Sequence, residues 1–140
     1  MRKTLSVVLA AGVLLLAAAP VWAHHAFAAE FDASKPIKFK GTVTKMEWIN
    51  PHAWIHIDVK AEDGTVTNWM IEAAAPNSLL RRGWNKNSLP AGTEILVEGF
   101  QAKDQSNRAN GSVITFTDGK KLFVGNAVGD PGAAPGAPKQ

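Results

Sequence analysis

Residues 36–59, PIKFKGTVTKMEWINPHAWIHIDV, carry the clearest fold signal in the chain. Ile37, Phe39, Gly41 and Val43 alternate with Lys38, Lys40, Thr42 and Thr44, the period-two pattern of a half-buried strand. The apolar positions then change phase, to Met46 and Trp48. A phase change with a mid-strand glycine predicts a bulge or sharp bend at Gly41. Asn50-Pro51 closes the strand with a turn. The next strand is cleaner. Ala53, Ile55, Ile57 and Val59 face one side, and His52, Trp54, His56 and Asp58 face the other. Two such strands in tandem, without helical periodicity, point to an all-β domain.

Beyond this pair, Glu62-Asp63-Gly64 supplies a hairpin turn. A third strand follows over about residues 65–73, with Trp69 and Ile71 inward. The one helix expected after the leader spans 76–83: Pro76 suits a first turn, Leu79 and Leu80 form an apolar edge, and Gly83 terminates it. Leu89-Pro90-Ala91-Gly92 turns into a fourth strand, 93–101, with Ile95 and Val97 inward. Residues 103–110 read as a polar loop, and 113–117 with 121–124 as a final hairpin around Asp118-Gly119. Residues 24–35 show no clear periodicity. Residues 126–140 are rich in Gly, Ala and Pro and have little to bury, so they read as a disordered tail. Three strands, a short helix, a strand and a hairpin fit a five- to six-stranded Greek-key barrel, OB-like in order. The alternative is an open β-sandwich.

The first 23 residues have the form of an export signal. Arg2 and Lys3 are the positive end, 5–19 is an uninterrupted apolar run, and Val21-Trp22-Ala23 offers small residues for cleavage. The run is shorter than the roughly 20 residues of a membrane span. Cleavage after Ala23 is expected; a second site after Ala28 lies farther from the run and would remove His24 and His25. The expected organisation is a signal peptide at 1–23, a domain at 24–125 and the tail at 126–140. The expected location is the periplasm, with no membrane anchor after cleavage. Two of the 15 basic residues lie in the signal, leaving 13 against 12 acidic ones, a net charge of about +1. That balance gives no case for a nucleic-acid surface. The chain has no cysteine, which excludes disulfides, thiol catalysis and lipid attachment through cysteine.

The chain also resembles a known family. HHAFAAEFD at 24–32, KGTVTKMEWINPHAWIHIDV at 40–59, NSLLRRGW at 77–84, AKDQSNRAN at 102–110 and DGKKLF at 118–123 are similar to the exported bacterial proteins grouped as domain of unknown function 6152. The resemblance implies a periplasmic setting in Gram-negative bacteria and names no activity. A histidine directly after the signal also resembles the copper-binding start of periplasmic copper carriers and of copper monooxygenases, a likeness of one residue at one position.

The four histidines, His24, His25, His52 and His56, are the candidate metal ligands. A first-residue histidine can chelate through its α-amine and Nδ1. A second imidazole then completes a T-shaped set of three nitrogens, a histidine brace. Nitrogen ligands in a plane favour Cu(II), which heads the divalent affinity order. Zinc would need a closed set of four ligands. His52 and His56 share a strand face, but four residues at about 3.3 Å each separate them by roughly 13 Å. The brace would therefore use one of them. His52 stands at the strand end, where the N-terminus could reach it; His25 is adjacent to His24 by construction. The bland reading is an exposed start that suits the signal peptidase, with His52 capping the turn and His56 an ordinary strand residue.

Trp48 and Trp69 read as core, while Trp54 shares a face with polar neighbours and is a weaker ligand-binding candidate. Arg81 and Arg82 read as a solvated helix face. Asp58, Glu47 and Glu72 are strand carboxylates without an evident partner. No nucleophile motif, phosphate loop or HExxH is present. An enzyme is not expected, a brace-type monooxygenase being the one exception. The expected function is a small periplasmic binding protein holding copper at its N-terminal histidine. The alternative is a metal-free OB-like module that binds a protein partner or small ligand around Trp54.

Overall fold

The structure, a computed structural model, describes residues 27–125. The expected signal, His24, His25 and the expected tail lie outside the described residues. Six strands and a short helix follow in order: β1 Phe31–Glu47, β2 Trp54–Lys60, β3 Val66–Glu72, α1 Pro76–Arg81, β4 Glu94–Ala102, β5 Arg108–Phe116 and β6 Lys121–Phe123. Residues 27–30 are also helical, so α1 is not alone among the described residues.

The sheet runs β3-β2-β1-β4-β5-β6 with antiparallel neighbours, and β3 also pairs with β5 in parallel. Through that last pairing the hydrogen-bonded path returns on itself, so each of β1 to β5 has a partner on both sides. The alternation in β2 is as read: Ala53, Ile55 and Ile57 are wholly buried, and His52, Trp54 and His56 are half-buried on the other face. Ile55 and Ile57 lie opposite Ile71 and Trp69 of β3. Ile71, Val97, Ile114, Leu79 and Trp84 complete the centre of the core, with Trp48 and Trp69 packed against it.

The phase change in β1 has a different origin from the one expected. The register with β2 shifts between Val43 and Lys45, so Thr44 is the extra residue, and the inward set passes from Val43 to Met46. A bulge adds one residue to one strand and reverses the alternation beyond it. Gly41 instead marks a close approach: a Cβ there would meet Ile57 Cδ1 at 3.0 Å and the Asp58 carbonyl at 3.1 Å. The strand also starts earlier, at Phe31, where Phe31 is buried opposite Ala102. The largest correction is β5. Residues 108–110, read as loop, already pair with β3 and β4. Ala109 and Asn110 are buried there despite polar neighbours.

The turns follow local chemistry. Asp32, Asp63 and Asp104 each accept the amide two residues on, from Ser34, Thr65 and Ser106 at 2.9, 2.9 and 3.0 Å, closing Asx turns. The Ser34 and Ser106 hydroxyls donate to the same carboxylates at 2.6 Å. These hydrogen bonds hold all three carboxyls below the usual aspartate range. In α1, Pro76 opens the helix without a side-chain cap, Leu79 is buried and Leu80 is exposed. Trp84 follows directly, fully buried, its indole N–H donating to the Phe123 carbonyl at 3.0 Å.

Candidate functional site

Strand alternation gathers polar side chains on the outer face of β1, β2, β3 and the start of β5. Trp54 lies opposite Glu47 on one side and Glu72 on the other; His56 lies opposite Lys45 and Met70. The parallel pairing then sets Arg108 beside Met70 and Asn110 beside Glu72. One row therefore reads Glu47, Trp54, Glu72, Asn110, and the next Lys45, His56, Met70, Arg108.

His52, just before β2, and His56 within it each lie beside a different carboxylate. His52 Nδ1 is 3.0 Å from Glu72 Oε1, and His56 Nε2 is 3.7 Å from Glu47 Oε1. The two pairs differ in setting. Glu72 is buried, with its side chain 8% exposed, and also accepts a hydrogen bond from Asn110 Nδ2 at 3.4 Å. Burial pushes its carboxyl above the ordinary glutamate value, a shift opposed by His52 and Arg108 and reinforced by the charge of Glu30. Glu47 is held below the ordinary value, first by the Lys45 hydrogen bond and then by the charges of Lys45 and His56, against a smaller opposing effect of burial. His56 Nε2 is sealed from solvent, and 3.7 Å is too long for a hydrogen bond to Glu47.

The start of the described chain docks on this face. Phe27 packs on Phe31 and edge-on against Phe100, with ring centroids 5.8 and 6.0 Å apart. The Lys103 amide donates to the Glu30 carbonyl at 2.9 Å, and Arg108 Nη2 is 3.3 Å from Glu30 Oε2. The Arg108 guanidinium also lies over the Trp54 ring, 5.3 Å from its centroid, a cation–π contact.

Of the sequence-derived metal candidates, His52 and His56 share a face but engage different carboxylates on opposite sides of β2. His24 and His25 lie outside the described residues. Among the described residues no group of three or more His, Cys, Asp or Glu could hold a metal ion. Glu72, Glu47, Asn110, Arg108 and Glu30 were not expected to belong to a site. Alternation places both glutamates on the histidine face, a signal present in the sequence; Arg108 and Asn110 reach it only through the β3–β5 pairing. Of the paired arginines, Arg81 donates to Ser78 Oγ at 3.1 Å and Arg82 to the Gly125 carbonyl.

No helix among the described residues is long and apolar enough to cross a membrane. No curated protein and no solved structure matches the chain. A family model does match, over residues 11–111, most of the strands included. On that match the chain belongs to the family of unknown function DUF6152.

Proposed function

We propose that the protein is a periplasmic binding module, an OB-type Greek-key barrel that holds one Cu(II) at its N-terminus after cleavage behind Ala23. The ligands are the α-amine and ring of His24 and the ring of His52. The parallel β3–β5 pairing favours a barrel over an open sandwich, because it gives β3, at one end of the sheet order, a second partner. The role is binding, not catalysis.

The observation that carries the metal reading is the His52–Glu72 pair. A carboxylate at Nδ1 takes the ring N–H and directs the lone pair to Nε2, the arrangement that orients and strengthens metal-binding histidines. Phe27 is three residues after His24, a reach of about 10 Å when extended. The docked residues 27–30 bring the chain onto the same face, where the charge of Glu30 is felt at Glu72. His56 is the weaker ligand, because its Nε2 is sealed beside Glu47. An amine of pKa about 7.7–8.0 yields its proton to a metal readily near neutral pH.

The test is Cu(II) titration with paramagnetic resonance, on protein whose intact mass establishes a start at His24. One alanine added before His24 should abolish tight binding, because it turns the chelating amine into an amide. His24→Ala should do the same by removing the ring. His52→Ala should weaken binding more than His56→Ala. Glu72→Gln, acting through His52, should weaken it about 10- to 100-fold. Equal affinity for the extended and natural forms would end the copper reading, as would a native chain starting at Ala29. The metal-free alternative, a surface around Trp54, would then be the reading to pursue.

A further inference from the structure

A second feature lies at the other end of β2. A cleft of about 520 Å³ opens where β1 leaves β2 and continues along β4. That volume lies in the range of small-molecule sites. Its floor includes buried Ile95 and half-buried Leu96 and Phe116.

The charges around it are sorted by strand register. Asp58, Thr42 and Glu94 stand opposite one another across β2, β1 and β4, forming an acidic row. Two residues along on the same face, Lys40, Leu96 and Thr115 form the next row across β1, β4 and β5. Lys60, two residues beyond Asp58 on β2, adds a second ammonium to that side. Two residues of strand separate the rows by about 7 Å. Long side chains at this spacing are within reach of one another. Yet among the described residues none of Lys40, Lys60, Asp58 and Glu94 is in an ion pair. Asp58 accepts a hydrogen bond from Asn68 instead.

We infer that this cleft binds a small zwitterion of the amino-acid class. The ammonium of the ligand faces Asp58 and Glu94; its carboxylate faces Lys40 and Lys60. Leu96, on the same face as the charged rows, covers the aliphatic part between. A ligand with one charge would satisfy only one row and leave the other uncompensated. The inference is independent of copper, because it uses no histidine.

The experiment is amide chemical-shift titration of the exported chain, with chelator present. γ-Aminobutyrate is the probe, and butyrate and butylamine are singly charged controls of the same length. Saturable shifts at Thr42, Leu96 and Thr115 are expected with γ-aminobutyrate. Each control should bind at least about tenfold more weakly, having lost one charge-assisted set of contacts. Lys40→Met and Glu94→Gln should each weaken binding of the zwitterion to a similar degree. Equal responses to all three probes would overturn the inference. So would shifts mapping elsewhere, or no saturable shift at all.

Discussion

Glu72 shows what a buried carboxylate costs and how the fold offsets it. A carboxylate in a nearly sealed site is expensive to ionise, and the fold answers with His52, Asn110 and Arg108 around it. Burial still prevails, and the folded pKa lies above the ordinary 4.5. For a group raised on folding, its stabilising share is fully present below the unfolded pKa. That share is lost as pH rises through the folded value. Glu72→Gln keeps the shape and cannot ionise. In metal-free protein, the variant should therefore gain stability relative to the natural chain as pH rises above about 4.5. Urea midpoints measured across that interval check it; a difference that stays flat, or runs the other way, would show that burial does not govern this carboxyl.

Among the elements, β5 is the strand that its own residues advertise least. Arg108-Ala109-Asn110-Gly111 lacks alternation, yet it pairs with β3 on one side and β4 on the other. The glycines make the approach possible. A Cβ on Gly99 would lie 2.1 Å from the Asn110 carbonyl oxygen, at the point where the β4–β5 register shifts. One on Gly111 would meet Ile71 Cγ2 at 2.7 Å and Val124 Cγ2 at 3.0 Å. These are backbone and core atoms with little room to give. Gly99→Ala should therefore destabilise by about 2 kcal/mol or more, at the upper part of the overpacking range. Chemical denaturation measures it. Gly64→Ala meets nothing within 4 Å, and its cost should come from its φ of +88° alone.

Over the molecule as a unit, Trp84 links parts distant in sequence. It follows α1, is 1% exposed, and its indole N–H reaches the carbonyl of Phe123 on β6. The Trp84 amide also bonds the Leu79 carbonyl at 3.0 Å, so the end of α1 and the last strand share one anchor. Trp84→Ala should cost about 3–5 kcal/mol. Against a typical total of about 5–15 kcal/mol, that is a large part of the stability. The loss should appear as a lower denaturation midpoint with one cooperative transition. Separate melting of α1 with the rest intact would mean that the anchor is local.

The β class, the inward set of β2, the place of α1 and the turns at Gly64 and Gly83 were all legible in the residues themselves. Each is a local signal: period-two alternation, a proline at a helix start, or a glycine at positive φ. Alternation also set Glu47 and Glu72 on the same face as His52 and His56, without saying which carboxylate meets which ring. Those pairs, the early start of β5, and the placing of Arg108 and Asn110 beside Met70 and Glu72 emerge only in the folded chain. They depend on pairing between strands far apart in sequence. Alternation within one strand reports which face is buried, not which strand lies alongside. Where the chain reads Asn110-Gly111-Ser112, even the face is weakly marked, and close packing of three backbones selects the register.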